Sequence, residues 1–100
     1  MQPIKNCGTL EAVRGEIDAI DEQIAELIGQ RNAYVKQAAK FKHTPDEVKA
    51  EERMRFVISQ ARDRGIRNGV NPNLMEELYR LMIEKMVETE LAEFQNRNDF

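Results

Sequence analysis

The sequence is poor in the residues that most enzymatic chemistry depends on. Its 100 residues include one cysteine, one histidine, five glycines and no tryptophan. Cys7 cannot form an intramolecular disulfide, and no second Cys or His follows it at the spacing of a metal site, so we expect it to be an inert packing or surface residue. No glycine-rich loop of the type that binds phosphate is present. We therefore expect no metal ion and no cofactor.

Long apolar runs and an excess of positive charge are also missing. No stretch approaches the roughly 18 consecutive apolar residues of a transmembrane helix, and no basic segment leads into an apolar one at the N-terminus. Eighteen Asp and Glu residues against fifteen Lys and Arg give a net charge of -3. Proteins that bind the phosphate backbone carry an excess of Lys and Arg. These features predict a cytoplasmic protein that binds neither a membrane nor nucleic acid.

One amphipathic stretch, residues 10–42, dominates the chain. Its apolar residues recur at alternating spacings of three and four, the pattern of a helix with a sustained apolar stripe. The stripe comprises Leu10, Val13, Ile17, Ile20, Ile24, Leu27, Tyr34, Ala38 and Phe41. Such a helix is roughly 50 Å long, whereas a compact domain of this size has a radius of gyration of only about 13 Å. We expect a second copy of the chain to cover the remainder of the stripe.

Capping residues and prolines define the remaining helices. Thr9 is placed to cap the first helix, and Pro45 ends it by disfavouring helical geometry at Thr44. The segment Thr44–Glu47 has the composition of a capping box and predicts a second helix over about 46–65. Residues 43–49 are either the first turn of that helix or a mobile polar loop.

Asn71 and Pro72 repeat the start signal for a third helix, over about 72–95. Gly65 and Gly69 permit left-handed geometry between the second and third helices. The sequence thus predicts an all-α fold with three helices and no strand, in a single domain over 1–100.

Four cations and one carboxyl group are the candidate site residues. Arg31 lies in the apolar stripe, and Lys42 follows it by three turns on the same side of the first helix. Arg53 begins the apolar run of the second helix and would face the same point. Arg14 is roughly 25 Å from Arg31 along the helix, so it can join that site only from a partner chain. Glu90 lies among apolar residues of the third helix, which is expected to raise its pKa and keep it protonated as a hydrogen-bond donor.

Each of these residues also has a simpler interpretation. Arg31 can pair with a carboxylate of the third helix, and Arg14 can be an ordinary charge beside the stripe. Glu90 can be one solvated member of a cluster with Glu88 and Glu93. On the residues alone, a dimeric helical adaptor with interface salt bridges is therefore an open alternative, although an adaptor has no reason to bring the four cations to one point.

The ordered set of residues resembles a known family. A long first helix followed by two shorter ones, with these four cations in this order, is similar to the all-α class of chorismate mutases. Within that class the chain resembles most the bacterial isochorismate-pyruvate lyases of salicylate synthesis. The resemblance extends over essentially the whole chain and includes Cys7, Ile17-Asp18, Ile20-Asp21, Gly29 with Arg31, Tyr34-Val35-Lys36, Phe41-Lys42 and Glu52-Arg53.

The resemblance implies an intertwined homodimer with two active sites, each built from both chains. Arg14 of one chain and Arg31 of the other would hold the two carboxylates of a dicarboxylate substrate, and Arg53 would support one of them. Lys42 would point at the ether oxygen of the substrate, and Glu90 would occupy the position of a glutamine that donates to the same oxygen. Residues 43–49 would form a lid. The reaction is pericyclic and requires no cofactor.

Two departures from the family pattern bear on which reaction is implied. Mutases of this class usually carry a glutamate after the arginine of the second helix, where this chain has Met54, and a second polar contact position is Ala50. Both favour a siderophore-type isochorismate-pyruvate lyase with chorismate mutase activity. Glu90 in place of glutamine occurs in some mutase branches and favours the alternative, a dedicated chorismate mutase of aromatic amino-acid biosynthesis. A charged Glu90 would repel the substrate oxygen, so activity is expected to fall as pH rises.

Overall fold

A computed structural model describes residues 3–98, which form helices and connecting turns without a strand. The helices are α1 (Leu10–Ala38), α2 (Pro45–Lys49), α3 (Glu51–Arg67) and α4 (Pro72–Asn98), with a 3₁₀ segment at Ala39–Phe41. The predicted all-α fold of three main helices is confirmed, although the last of them, with 27 residues, is nearly as long as the first, with 29. The short helix α2 lies between the first two of them, at the segment predicted to be either a helix start or a loop.

The first helix begins at its predicted cap and ends earlier than the predicted limit of Lys42. The amide of Ala12 donates to the Thr9 hydroxyl at 3.1 Å. After Ala38 the chain tightens into the 3₁₀ segment, and Lys42 has extended backbone angles (φ -98°, ψ 143°). Lys42 is therefore carried by the connection to α2, outside the regular helix.

The predicted second helix, 46–65, is divided at Ala50. Thr44 caps α2, its hydroxyl accepting a hydrogen bond from the Glu47 amide at 3.2 Å, and Pro45 is the first residue of that helix. Ala50 then has left-handed backbone angles (φ 42°, ψ 62°), which separate α2 from α3. The chain thus starts a helix immediately after Thr44 and changes direction one turn later.

The α3–α4 hairpin forms the centre of the second half of the chain. Its buried apolar residues, together with those of the segments that pack on α4, are Ala39, Val48, Ile58, Ala61, Ile83 and Met86. At Gly65, which is buried within α3, a Cβ atom would lie only 2.6 Å from Cγ of Met75, so glycine is needed for the close approach of the two helices. Arg62 donates to the carboxylate of Glu76 at 2.9 Å and ties the two helices together beside their connection.

The chain divides into two compact units, Met1–Asn32 and Ala33–Phe100. None of the 29 residues of α1 is buried. The apolar side chains of its stripe from Leu10 to Leu27 are 40% to 62% exposed. The expectation that a second chain covers this surface stays a prediction. Within residues 3–98, no helix has both the length and the apolar character needed to span a membrane.

Candidate active site

Lys42 and Glu90 meet inside the second unit. The ammonium nitrogen Nζ of Lys42 lies 3.7 Å from Oε1 of Glu90, and the two side chains are 24% and 7% exposed. Lys42 follows the 3₁₀ segment and Glu90 lies on α4, so two separate elements carry the two side chains. A lysine and a carboxyl group that are predicted from the sequence to act on one atom are thus brought together.

Glu90 is the one buried polar or charged residue among those that the structure describes. Its Oε1 has no hydrogen-bond partner among the described residues. Burial raises the pKa of the Glu90 carboxyl, and the charge of Lys42 opposes this shift without cancelling it. The nearby Glu88 and Glu93 have side chains that are 64% and 37% exposed. The interpretation of Glu90 as one of three solvated glutamates is therefore wrong, and the predicted rise in its pKa is confirmed.

A closed ring of hydrogen bonds surrounds the turn that carries Lys42. Nζ of Lys42 donates to the main-chain carbonyl of Glu47 at 2.9 Å. The Glu47 carboxylate accepts a hydrogen bond from the amide of His43 at 2.6 Å, and the amide of Glu47 donates to Thr44. The predicted capping box is thus present with one change, since the carboxylate binds the amide of the residue before the cap.

Beside Lys42 lies an open cleft of about 870 Å³. It is lined by Lys42, Asp46, Glu47, Lys49, Ala50, Glu51, Glu52, Arg53 and Arg55. Arg53 is exposed, and its guanidinium carbon lies 5.3 Å from the centre of the Phe56 ring, a geometry that orients the group without neutralising it. The volume is within the range of sites that bind small molecules.

The other two predicted site residues belong to the first unit. Arg14 is exposed and Arg31 is half-buried, and both lie on α1. Because α1 is continuous between them, they are roughly 25 Å apart along its axis. The structure therefore brings together Lys42 with Glu90, and Lys42 with Arg53, whereas the shared role of Arg14 and Arg31 stays a prediction.

Glu47, which lines the cleft, and the neighbouring core residue Val48 were not singled out from the sequence as important for the site. Glu47 was interpreted only as a helix cap, and its carbonyl contact with Lys42 has no signature in the sequence. Val48 is 2% exposed where α2 packs on α4. A signal for it did exist, because Val48 is the one large apolar residue in the polar run from Lys42 to Lys49.

The fold and the site together define a small helical protein with an acid and a lysine beside a charged cleft, whose lining carries four basic and four acidic residues. The family model for chorismate mutase type II matches residues 13–91. This match includes Arg14, Arg31, Lys42, Arg53 and Glu90. The chain belongs to the chorismate mutase type II family, as its resemblance predicts.

Two curated proteins illustrate the range of the family around this chain. The chain is 30% identical over 83 residues to an isochorismate pyruvate lyase of Pseudomonas aeruginosa, covering 83% of this chain and 82% of that protein. It is 31% identical over 101 residues to a bifunctional chorismate mutase/prephenate dehydratase of Buchnera aphidicola, covering 97% of this chain and 26% of that protein. The chain therefore spans about a quarter of the second relative.

Proposed function

We propose that this protein is a cytoplasmic, cofactor-independent enzyme that converts isochorismate to salicylate and pyruvate, with chorismate mutase activity as a second reaction. The observation that carries the proposal is the pairing of Lys42 with the buried Glu90, 3.7 Å apart, beside a cleft that also contains Arg53. A lysine and a neutral acid are two donors suited to an oxygen that gains negative charge.

The chemistry needs no nucleophile. In both reactions the bond between the ring and the enolpyruvyl ether oxygen breaks in one concerted step. In the mutase reaction a carbon–carbon bond forms in its place, whereas in the lyase reaction a ring hydrogen moves to the enolpyruvyl methylene and pyruvate leaves. The enzyme must hold a dianion in the reactive shape and stabilise the oxygen as its charge grows. In our proposal, Lys42 and protonated Glu90 donate to that oxygen.

In this proposal, arginines bind the two carboxylates of the substrate. Arg53 lies in the cleft and can hold one carboxylate with two parallel hydrogen bonds. We propose that Arg31 holds a carboxylate in the same site and that Arg14 enters it from a second chain. The exposed apolar stripe of α1 supports this homodimer, because a stripe of that length on a soluble chain is stabilised by a partner that covers it. In this assembly, residues 1–100 form one helical domain.

Two observations support the lyase over the dedicated mutase. Met54 and Ala50 offer no polar group to the substrate where mutases of this class place one. Of the two relatives above, the one matched over 82% of its own length is named a lyase. The second candidate is a chorismate mutase of aromatic amino-acid biosynthesis, and it is favoured by Glu90 and by the relative that contains a mutase.

A side-by-side turnover assay on the purified protein tests the proposal. Salicylate release from isochorismate is followed by fluorescence, and conversion of chorismate to prephenate by loss of absorbance. We expect both reactions, with the higher kcat/KM for isochorismate, and a loss of roughly 10²-fold or more in kcat in Lys42→Ala. Prephenate formation without salicylate would identify the dedicated mutase. No turnover of either compound would contradict the proposed enzyme and favour the non-catalytic helical adaptor.

A further inference from the structure

The backbone of Lys42 does not by itself fix the position of the Lys42 ammonium group. A lysine has four rotatable bonds and loses much conformational freedom when its ammonium is fixed at one point. Lys42 follows the 3₁₀ segment and has extended angles, so regular helix geometry does not fix its direction. Its side chain is nevertheless only 24% exposed. Other groups must therefore hold the ammonium in place.

Two groups hold the ammonium and one N–H remains. An ammonium has three N–H donors. One donates to the Glu47 carbonyl at 2.9 Å, and a second faces Glu90 at 3.7 Å, beyond hydrogen-bond length. The third N–H is available for a ligand in the adjoining cleft. The position of the Glu47 carbonyl thus decides where the remaining N–H points.

The Glu47 carbonyl is itself fixed by contacts made by the rest of that residue. The Glu47 amide donates to Thr44 at 3.2 Å, and its carboxylate accepts from the His43 amide at 2.6 Å. The next residue, Val48, is 2% exposed and anchors the segment in the core. The carboxylate closes a ring that runs from His43, the residue after Lys42, through Glu47 and back to the Lys42 ammonium.

We propose that Glu47 is a positioning residue for Lys42. The Glu47 carboxylate accepts from the His43 amide and keeps the 43–47 turn closed. The main-chain carbonyl of Glu47 then accepts from the Lys42 ammonium, which leaves the third N–H of Lys42 directed at the substrate. The proposal rests on the proposed function for the role of Lys42, and it assigns Glu47 a task beyond helix capping. Glu47 acts as a hydrogen-bond acceptor in this arrangement, so glutamine should replace it and alanine should not.

Chemical labelling tests the positioning without any substrate. The reaction rate of Lys42 with a limiting acylating reagent is measured by mass spectrometry, with the exposed Lys40 of the same molecule as the internal standard. We expect Lys42 in Glu47→Ala to react roughly threefold faster than in the wild type, because the turn opens locally. Glu47→Gln should react like the wild type. Equal Lys42 rates in all three proteins would overturn the proposal.

A double-mutant cycle then tests whether Glu47 acts on catalysis through Lys42. We expect Glu47→Ala to lower kcat roughly tenfold with little change in KM, since a small displacement of a catalytic group is costly. Glu47→Gln should restore kcat to within about twofold. In a Lys42→Ala background the same Glu47→Ala change should leave the remaining kcat unaltered.

The outcomes separate the two proposals. A tenfold effect of Glu47→Ala that persists without Lys42 would show a structural role and overturn the positioning proposal. If the wild type converts neither isochorismate nor chorismate, the proposed function fails, while the Lys42 labelling rates still decide whether Glu47 positions Lys42. Thermal unfolding of each variant, followed by circular dichroism, shows whether the variant keeps the overall helical content and stability of the wild type.

Discussion

At the scale of single residues, the site depends on which of two opposing effects controls Glu90. Burial disfavours the charged carboxylate, and the nearby Lys42 favours it, with burial the larger effect. The folded protein therefore holds the Glu90 proton more tightly than the unfolded chain does. By linkage, its contribution to stability is full below the ordinary pKa of a glutamate and is lost as pH rises through the raised pKa. The neutral form is also the form that can donate a hydrogen bond.

We predict a pH dependence of turnover that is specific to Glu90. The kcat of the wild type should decrease as pH rises through the raised pKa of Glu90, because the carboxylate loses its donor and repels the substrate oxygen. Glu90→Gln should give a flat profile over this range, since an amide donates at every pH. Glu88→Gln is the matched control on the exposed face of the same helix and should keep the wild-type profile. Identical profiles for all three proteins would remove Glu90 from the mechanism.

At the scale of helices, the sequence predicts where a helix begins better than where a helix is broken. Thr9, Thr44 and Pro72 mark helix starts because capping depends on local chemistry. The break at Ala50 has no such signal, since alanine is the strongest helix former. Packing of Val48 against α4 fixes the direction of α2, and the chain must then turn to begin α3. The same tertiary contact places the Glu47 carbonyl near Lys42, which is why that contact was not predicted.

The left-handed angles at Ala50 predict opposite effects of glycine at two alanines. A non-glycine residue in this conformation costs about 1–2 kcal/mol, and glycine loses about 0.4–1 kcal/mol through its greater freedom in the unfolded chain. Ala50→Gly should therefore increase the free energy of unfolding by about 0.5–1 kcal/mol. Ala92→Gly, at an exposed position within α4, should decrease it by about 1 kcal/mol. Urea denaturation measures both, and a destabilised Ala50→Gly would show that the left-handed turn is not strained.

At the scale of the whole molecule, the length and pattern of the first helix give the strongest information about assembly. Periodicity identifies the apolar stripe and hence predicts a surface that a partner chain covers, because apolar area tends to be buried. The stripe is exposed along α1 from Leu10 to Leu27. Periodicity cannot identify which chain supplies each arginine of a site, because that depends on how two copies are joined. Arg14 and Arg31 were assigned to different chains by their separation along one helix.

That assignment predicts recovery of activity by mixing two inactive variants. In an equal mixture of Arg14→Ala and Lys42→Ala chains, half of the dimers are mixed and each has one intact site of two, so about a quarter of wild-type activity should return. Arg31→Ala mixed with Lys42→Ala is the control, because one chain supplies both residues to a site and no intact site can form. In analytical ultracentrifugation the wild type and the mixed variants should sediment as dimers of 11.6 kDa chains. Recovery in the control pair, or in neither pair, would contradict sites shared between chains in this way, and a monomer would contradict the dimer itself.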